Sequence, residues 1–137
     1  MADFCATTAS NGPRLKNPDV VLNILDRYVW DGDVEARISY QGESQPCLVI
    51  YGYDWPRTWK IPEDANPNDF EPDYDADDGL EEFLKEVAPH LAEPLTVHAI
   101  GAEKCRFPLA ACEWHILPGA GNVEINSFHH FDEEVHA

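Results

Sequence analysis

The sequence predicts a single α+β domain: about five mostly antiparallel strands with two helices packed on the sheet, in the order α-β-β-loop-α-β-β-β. Three observations carry this. The chain has 137 residues and is 44% hydrophobic, enough for one buried core and too little for two comfortable domains. Two stretches repeat their apolar residues at helical spacing, and the others alternate as strands do. The strand-like runs are joined by short turn-forming segments, which favours antiparallel pairing. Residues 1–16 read as a flexible polar tail, 17–130 as the domain and 131–137 as a second tail.

Asn17-Pro18-Asp19 marks a helix start. Asn suits the N-cap, Pro the first turn, and Asp the positive end of the helix dipole. Val20, Val21, Ile24, Leu25, Tyr28 and Val29 then form one apolar face, and Trp30-Asp31-Gly32-Asp33 ends the helix. Val34, Ala36, Ile38 and Tyr40 alternate with Glu35, Arg37 and Ser39, the pattern of a half-buried strand. Residues 41–46 are turn chemistry. The next strand, from Cys47 to about Trp55, is apolar on both faces and so belongs deeper in the sheet than its hairpin partner. Its Tyr51, Tyr53 and Trp55 share a face and are expected to pack beneath a helix.

Residues 61–77 read as a long acidic surface loop. Asp78 with Glu81 forms a capping box for a second helix, whose stripe is Leu80, Phe83, Leu84 and Val87 and which Pro89 ends. Leu95 to Ile100 is a third strand, residues 101–110 a loop, Ala111 to Leu117 a fourth strand and Val123 to Phe128 a fifth. Pro118-Gly119-Ala120-Gly121-Asn122 is the turn between the last two.

Charge is the strongest compositional signal. The net charge is −17, and residues 61–86 hold 11 acids against the single base Lys85. Over half of the net charge thus lies in under a fifth of the chain. Such a surface repels nucleic acid and anionic membrane, so neither is an expected direct partner. No apolar run approaches the ~20 residues of a membrane helix. The opening MADFCATTASNGPRLK lacks the apolar core of a secretory signal. Cys5, Cys47, Cys105 and Cys112 form no CxxC and no zinc-finger pair. They read as reduced thiols in a cytoplasmic protein.

Asp73-Tyr74-Asp75-Ala76-Asp77-Asp78-Gly79 has the oxygen density of a calcium loop but not the EF-hand register. His98, Glu113 and His115 form a metal-ligand set if their strands pair in register, although no HxH or HxxxH supports it. Aromatic residues interleaved with bases over Tyr51–Lys60 resemble a nucleic-acid stacking strip, but they adjoin the most acidic segment. There is no GxSxG, Walker loop, GxGxxG or HExxH. No metal and no cofactor is expected.

The sequence therefore points to a non-enzymatic acidic interaction protein that binds a basic macromolecular surface, as an inhibitor, immunity protein or nucleic-acid mimic does. Opposite charge would steer the encounter. The partner-binding candidates are Asp69, Glu71, Asp73, Asp75, Asp77, Asp78, Glu81, Glu82 and Glu86. A second reading is a metal- or small-ligand-binding protein or enzyme built on His98, Glu113, His115 and the aromatic strand. A third is acidity as adaptation to high salt.

Overall fold

A computed structural model describes residues 4–40, 46–73, 77–103 and 107–129, with side chains over 6–40, 46–73, 77–101 and 111–127. Strands β1 (Phe4–Ser10), β2 (Tyr28–Trp30), β3 (Val34–Ser39), β4 (Cys47–Gly52), β5 (Thr58–Lys60), β6 (Leu95–Glu103), β7 (Phe107–Ile116) and β8 (Glu124–His129) combine with helices α1 (Pro18–Leu25) and α2 (Leu80–Val87). Six strands form one antiparallel sheet in the order β3-β4-β1-β6-β7-β8, and β2 pairs with β5 in a separate ribbon. The architecture is the α+β domain the sequence predicts, with three more strands. Among the described residues no helix is long and apolar enough to cross a membrane.

The core lies between the two helices and one face of the large sheet. Val21 from α1 and Leu80, Phe83, Leu84 and Val87 from α2 meet Leu48 and Ile50 of β4, Val97 of β6 and Ile116 of β7. The stripe predicted for α2 is therefore the face it buries. Tyr28 and Trp30 of β2 both pack edge-on against Phe83, at 5.1 and 5.2 Å between ring centroids.

Five parts of the sequence reading are corrected. Part of the proposed tail, residues 4–10, is a central strand. β1 pairs along its length with β6 and at Thr8 and Ala9 with β4. Its inward residues are small, Ala6 and Thr8, so the alternation that marks a strand is faint. The first helix stops at Leu25. Tyr28 and Val29 continue its 3.6-residue spacing, but Tyr28, Val29 and Trp30 are aromatic or β-branched, and they pair with Lys60, Trp59 and Thr58. Asn17 stands at the N-cap without a side-chain cap, and its Nδ2 lies 3.1 Å from His90 Nδ1.

The predicted loop at 101–110 is largely strand. β6 and β7 run past each other to the Glu103–Phe107 pair, with a register shift between Gly101 and Ala102 that accommodates Gly and Pro residues. The aromatic strip does not lie beneath a helix. Tyr51 stays half-buried on the outer face with Arg37 over its ring, and Tyr53 is 78% exposed beyond the end of β4. Only Trp55 reaches the core, edge-on to Trp114. β4 does lie deeper than β3, which is an edge strand.

Candidate functional site

The acidic segment is laid on the surface rather than buried. Ile61 and Pro72 are buried and pin its two ends, while Asp64, Asp69, Glu71 and Asp73 between and beside them are exposed. Two short turns shape it, closed by Ala65 N to Pro62 O and Asp69 N to Asn66 O, both at 3.0 Å. Glu63 pairs with Arg27 at 3.6 Å. Asp75 lies outside the described residues.

Asp77, Asp78, Glu81 and Glu82 surround the start of α2 and are all exposed. Asp78 caps the helix, though from outside the expected box. Its Oδ1 accepts from Leu80 N at 2.8 Å, and Gly79 occupies the N-cap position. Its other oxygen faces Arg57 Nε at 4.0 Å. Both oxygens of this residue of the Asp-rich 73–79 stretch are thus directed within the chain.

Glu86 departs from the sequence expectation. It is half-buried and accepts from the Tyr28 hydroxyl and from Lys60 Nζ, the latter at 3.0 Å. It fastens α2 to the β2–β5 ribbon. Burial, then the hydrogen bond to Glu86, holds the Tyr28 phenol far above its ordinary pKa, so it remains a neutral donor.

The fold adds carboxylates that sequence reasoning did not select. Arg57 Nη1 lies 3.4 Å from Asp31 Oδ2, and the same guanidinium lies 4.7 Å over the Trp59 ring. Arg57 therefore links the Asp31-Gly32-Asp33 turn to the start of α2. Asp54 also abuts that turn: a Cβ on Gly32, at φ +58°, would fall 2.0 Å from Asp54 Oδ2. Three segments distant in sequence thereby bring Asp31, Asp33, Asp54, Asp77 and Asp78 to one end of the domain. The visible signal is Asp31-Gly32-Asp33 and the single Asp54, which look like an ordinary helix end and strand end.

The histidine cluster does assemble. His98 pairs directly with Glu113, and Thr96 with His115, on the face of the sheet away from the helices. Glu113 Oε2 lies 2.8 Å from His98 Nδ1, and Glu113 Oε1 contacts His115 Nε2. His115 Nδ1 lies 2.9 Å from Thr96 Oγ1. This is a linear hydrogen-bonded chain, with each carboxylate oxygen taking a different ring. Chelation would require the donors to converge on one point. Among the described residues no group of three His, Cys, Asp or Glu side chains is placed to hold a metal ion.

A shallow depression of about 360 Å³ adjoins this chain, lined in part by Ile100, Asn126 and Cys112. Cys112 forms no disulfide among the described residues, and Cys5 and Cys105 lie outside the described side chains. Partial burial pushes the Cys112 thiol pKa up. Its thiolate is correspondingly scarce at neutral pH, since a raised pKa favours the protonated form. Alkylation by iodoacetamide, followed by peptide mass spectrometry across pH, should give a midpoint for Cys112 above the ~8.5 of a free thiol. A midpoint at or below that value would contradict its placement.

Comparison with family models, curated proteins and solved structures finds no match to this chain.

Proposed function

We propose that this chain is a non-enzymatic acidic interaction protein that binds a basic macromolecular surface, acting as an inhibitor, an immunity protein or a nucleic-acid mimic. One observation carries the reading: Asp31 and Asp78, from segments distant in sequence, both face Arg57, and the neighbouring carboxylates Asp33, Asp77, Glu81 and Glu82 are exposed on the folded frame around them. A fixed array loses less conformational freedom on binding than a loose acidic tail. It also steers an oppositely charged partner and disfavours others. Asp69, Glu71, Asp73, Asp77, Asp78, Glu81 and Glu82 form the binding surface. Glu86 supports the frame beneath it.

The test neutralises carboxylates that do no structural work. Asp69, Glu71, Asp77 and Glu81 are exposed, and their side chains bond to no described residue. The fourfold variant Asp69→Asn, Glu71→Gln, Asp77→Asn, Glu81→Gln should therefore keep its fold. Immobilised wild-type protein should capture a basic protein from extract of the native host at low salt and release it at high salt. The variant should capture little of it. Equal capture by both at low salt would contradict the proposal.

The second reading rests on the register that brings His98, Glu113, His115 and Thr96 together beside a depression. It assigns ligand binding to the outer sheet face and leaves the carboxylates without a role. Under it, the fourfold variant retains all binding.

A further inference from the structure

Resting on that reading, we infer that the groove between Trp55 and the start of α2 is an anchor for one guanidinium side chain of the basic partner. The groove has a volume of about 570 Å³. Trp55 and Trp114 form part of its wall, with ring centroids 6.2 Å apart and planes at 73°. Leu80 and Pro56 add apolar surface, and Asp77, Asp78 and Glu81 contribute three carboxylates against the single guanidinium of Arg57. The excess charge is negative beside an aromatic wall, which is the complement of a cation with a flat apolar face.

These carboxylates are not equivalent. Asp78 is committed to Leu80 N and Arg57. Asp77 and Glu81 make no hydrogen bond or ion pair among the described residues. They remain for a partner.

The chain already displays the chemistry once. Arg57 is held over the indole of Trp59 and between Asp31 and Asp78. Beside it the groove presents a second indole wall and two unused carboxylates. Arginine fits this better than lysine. Its guanidinium is planar, weakly hydrated and able to take carboxylates in parallel while stacking on a ring, whereas an ammonium is a compact and strongly hydrated point charge.

The test titrates the 15N-labelled full chain with a hexa-arginine peptide at low salt, following amide and indole signals. The chain has four tryptophans, and a Trp55→Phe variant assigns the relevant indole. The Trp55 indole and the Asp77 and Glu81 amides should shift together and saturably. Asp77→Asn/Glu81→Gln should weaken the peptide about tenfold, and Asp69→Asn/Glu71→Gln only about twofold, since the first pair loses direct contacts and the second only long-range attraction. A hexa-lysine peptide should move the indole less. Equal indole shifts from the two peptides would overturn the guanidinium assignment. Shifts confined to 62–73, with both variants weakened alike, would overturn the groove while leaving the acidic surface standing. No shift anywhere at low salt would remove the acidic reading itself. Amide dispersion in each variant establishes that it is folded.

Discussion

Deleting residues 1–10 should abolish cooperative folding. β1 stands between the β3–β4 hairpin and the β6–β7–β8 meander, so its loss divides the large sheet into two pieces. Ala6 and Thr8 are buried beneath the helices' side of the sheet. Thr8 Oγ1 donates to Asp54 O at 2.6 Å, and Ser10 Oγ accepts from Ile50 N at 2.9 Å. Removing these groups exposes the ladder edges of β4 and β6 together with the apolar residues between them. That cost exceeds the ~5–15 kcal/mol by which a domain is usually stable. Thermal unfolding followed by circular dichroism should lose its sigmoidal transition. A truncated chain melting cooperatively within a few degrees of wild type would show that β1 is dispensable and misplaced.

Phe83→Ala should be the most damaging single substitution of those considered. The ring is fully buried, and Tyr28 and Trp30 approach it edge-on. It joins α2 to the β2–β5 ribbon as the apolar part of a contact whose polar part is Glu86 with Tyr28 and Lys60. The loss should be about 3–5 kcal/mol, from apolar transfer plus the cavity left behind. Urea unfolding gives this directly, as a lower midpoint with the slope unchanged. A loss under about 1 kcal/mol would mean that the helix does not seat on that ring.

Much of the fold was legible because apolar spacing states which side is buried. Leu80, Phe83, Leu84 and Val87 read as a stripe and are a stripe. Val34, Ala36 and Ile38 alternate with Glu35 and Arg37, and they line the inner face of an edge strand. The failures have physical causes. Phe4–Ser10 is a strand with small inward residues and so carries little periodic signal. Tyr28 and Val29 satisfied a helical period by coincidence, and only the distant Thr58–Lys60 could override it. Long-range pairing of this kind is not written locally.

The candidate site was legible in part. The acidic segment is visible as composition, and its exposure follows from it. Composition did not reveal that Glu86 has Tyr28 and Lys60 as partners, because both come from other segments. Nor did it show that Asp31 and Asp54 join the same end of the domain. Charge is conserved in a sequence count, but its placement depends on the fold. The His98–Glu113 pairing was conditional on register, and the β6–β7 register supplies it.

Recognition driven by clustered charge has a kinetic signature in the association rate. With the captured partner purified, stopped-flow mixing at about 20 mM and about 200 mM salt separates steering from short-range contact, because the screening length shortens from roughly 20 Å to below 10 Å. Wild-type association should slow about tenfold or more across this range, and the fourfold Asp69, Glu71, Asp77 and Glu81 variant should associate slowly at both salt concentrations while dissociating at a similar rate. An association rate that is insensitive to both salt and the four substitutions would contradict charge-driven recognition.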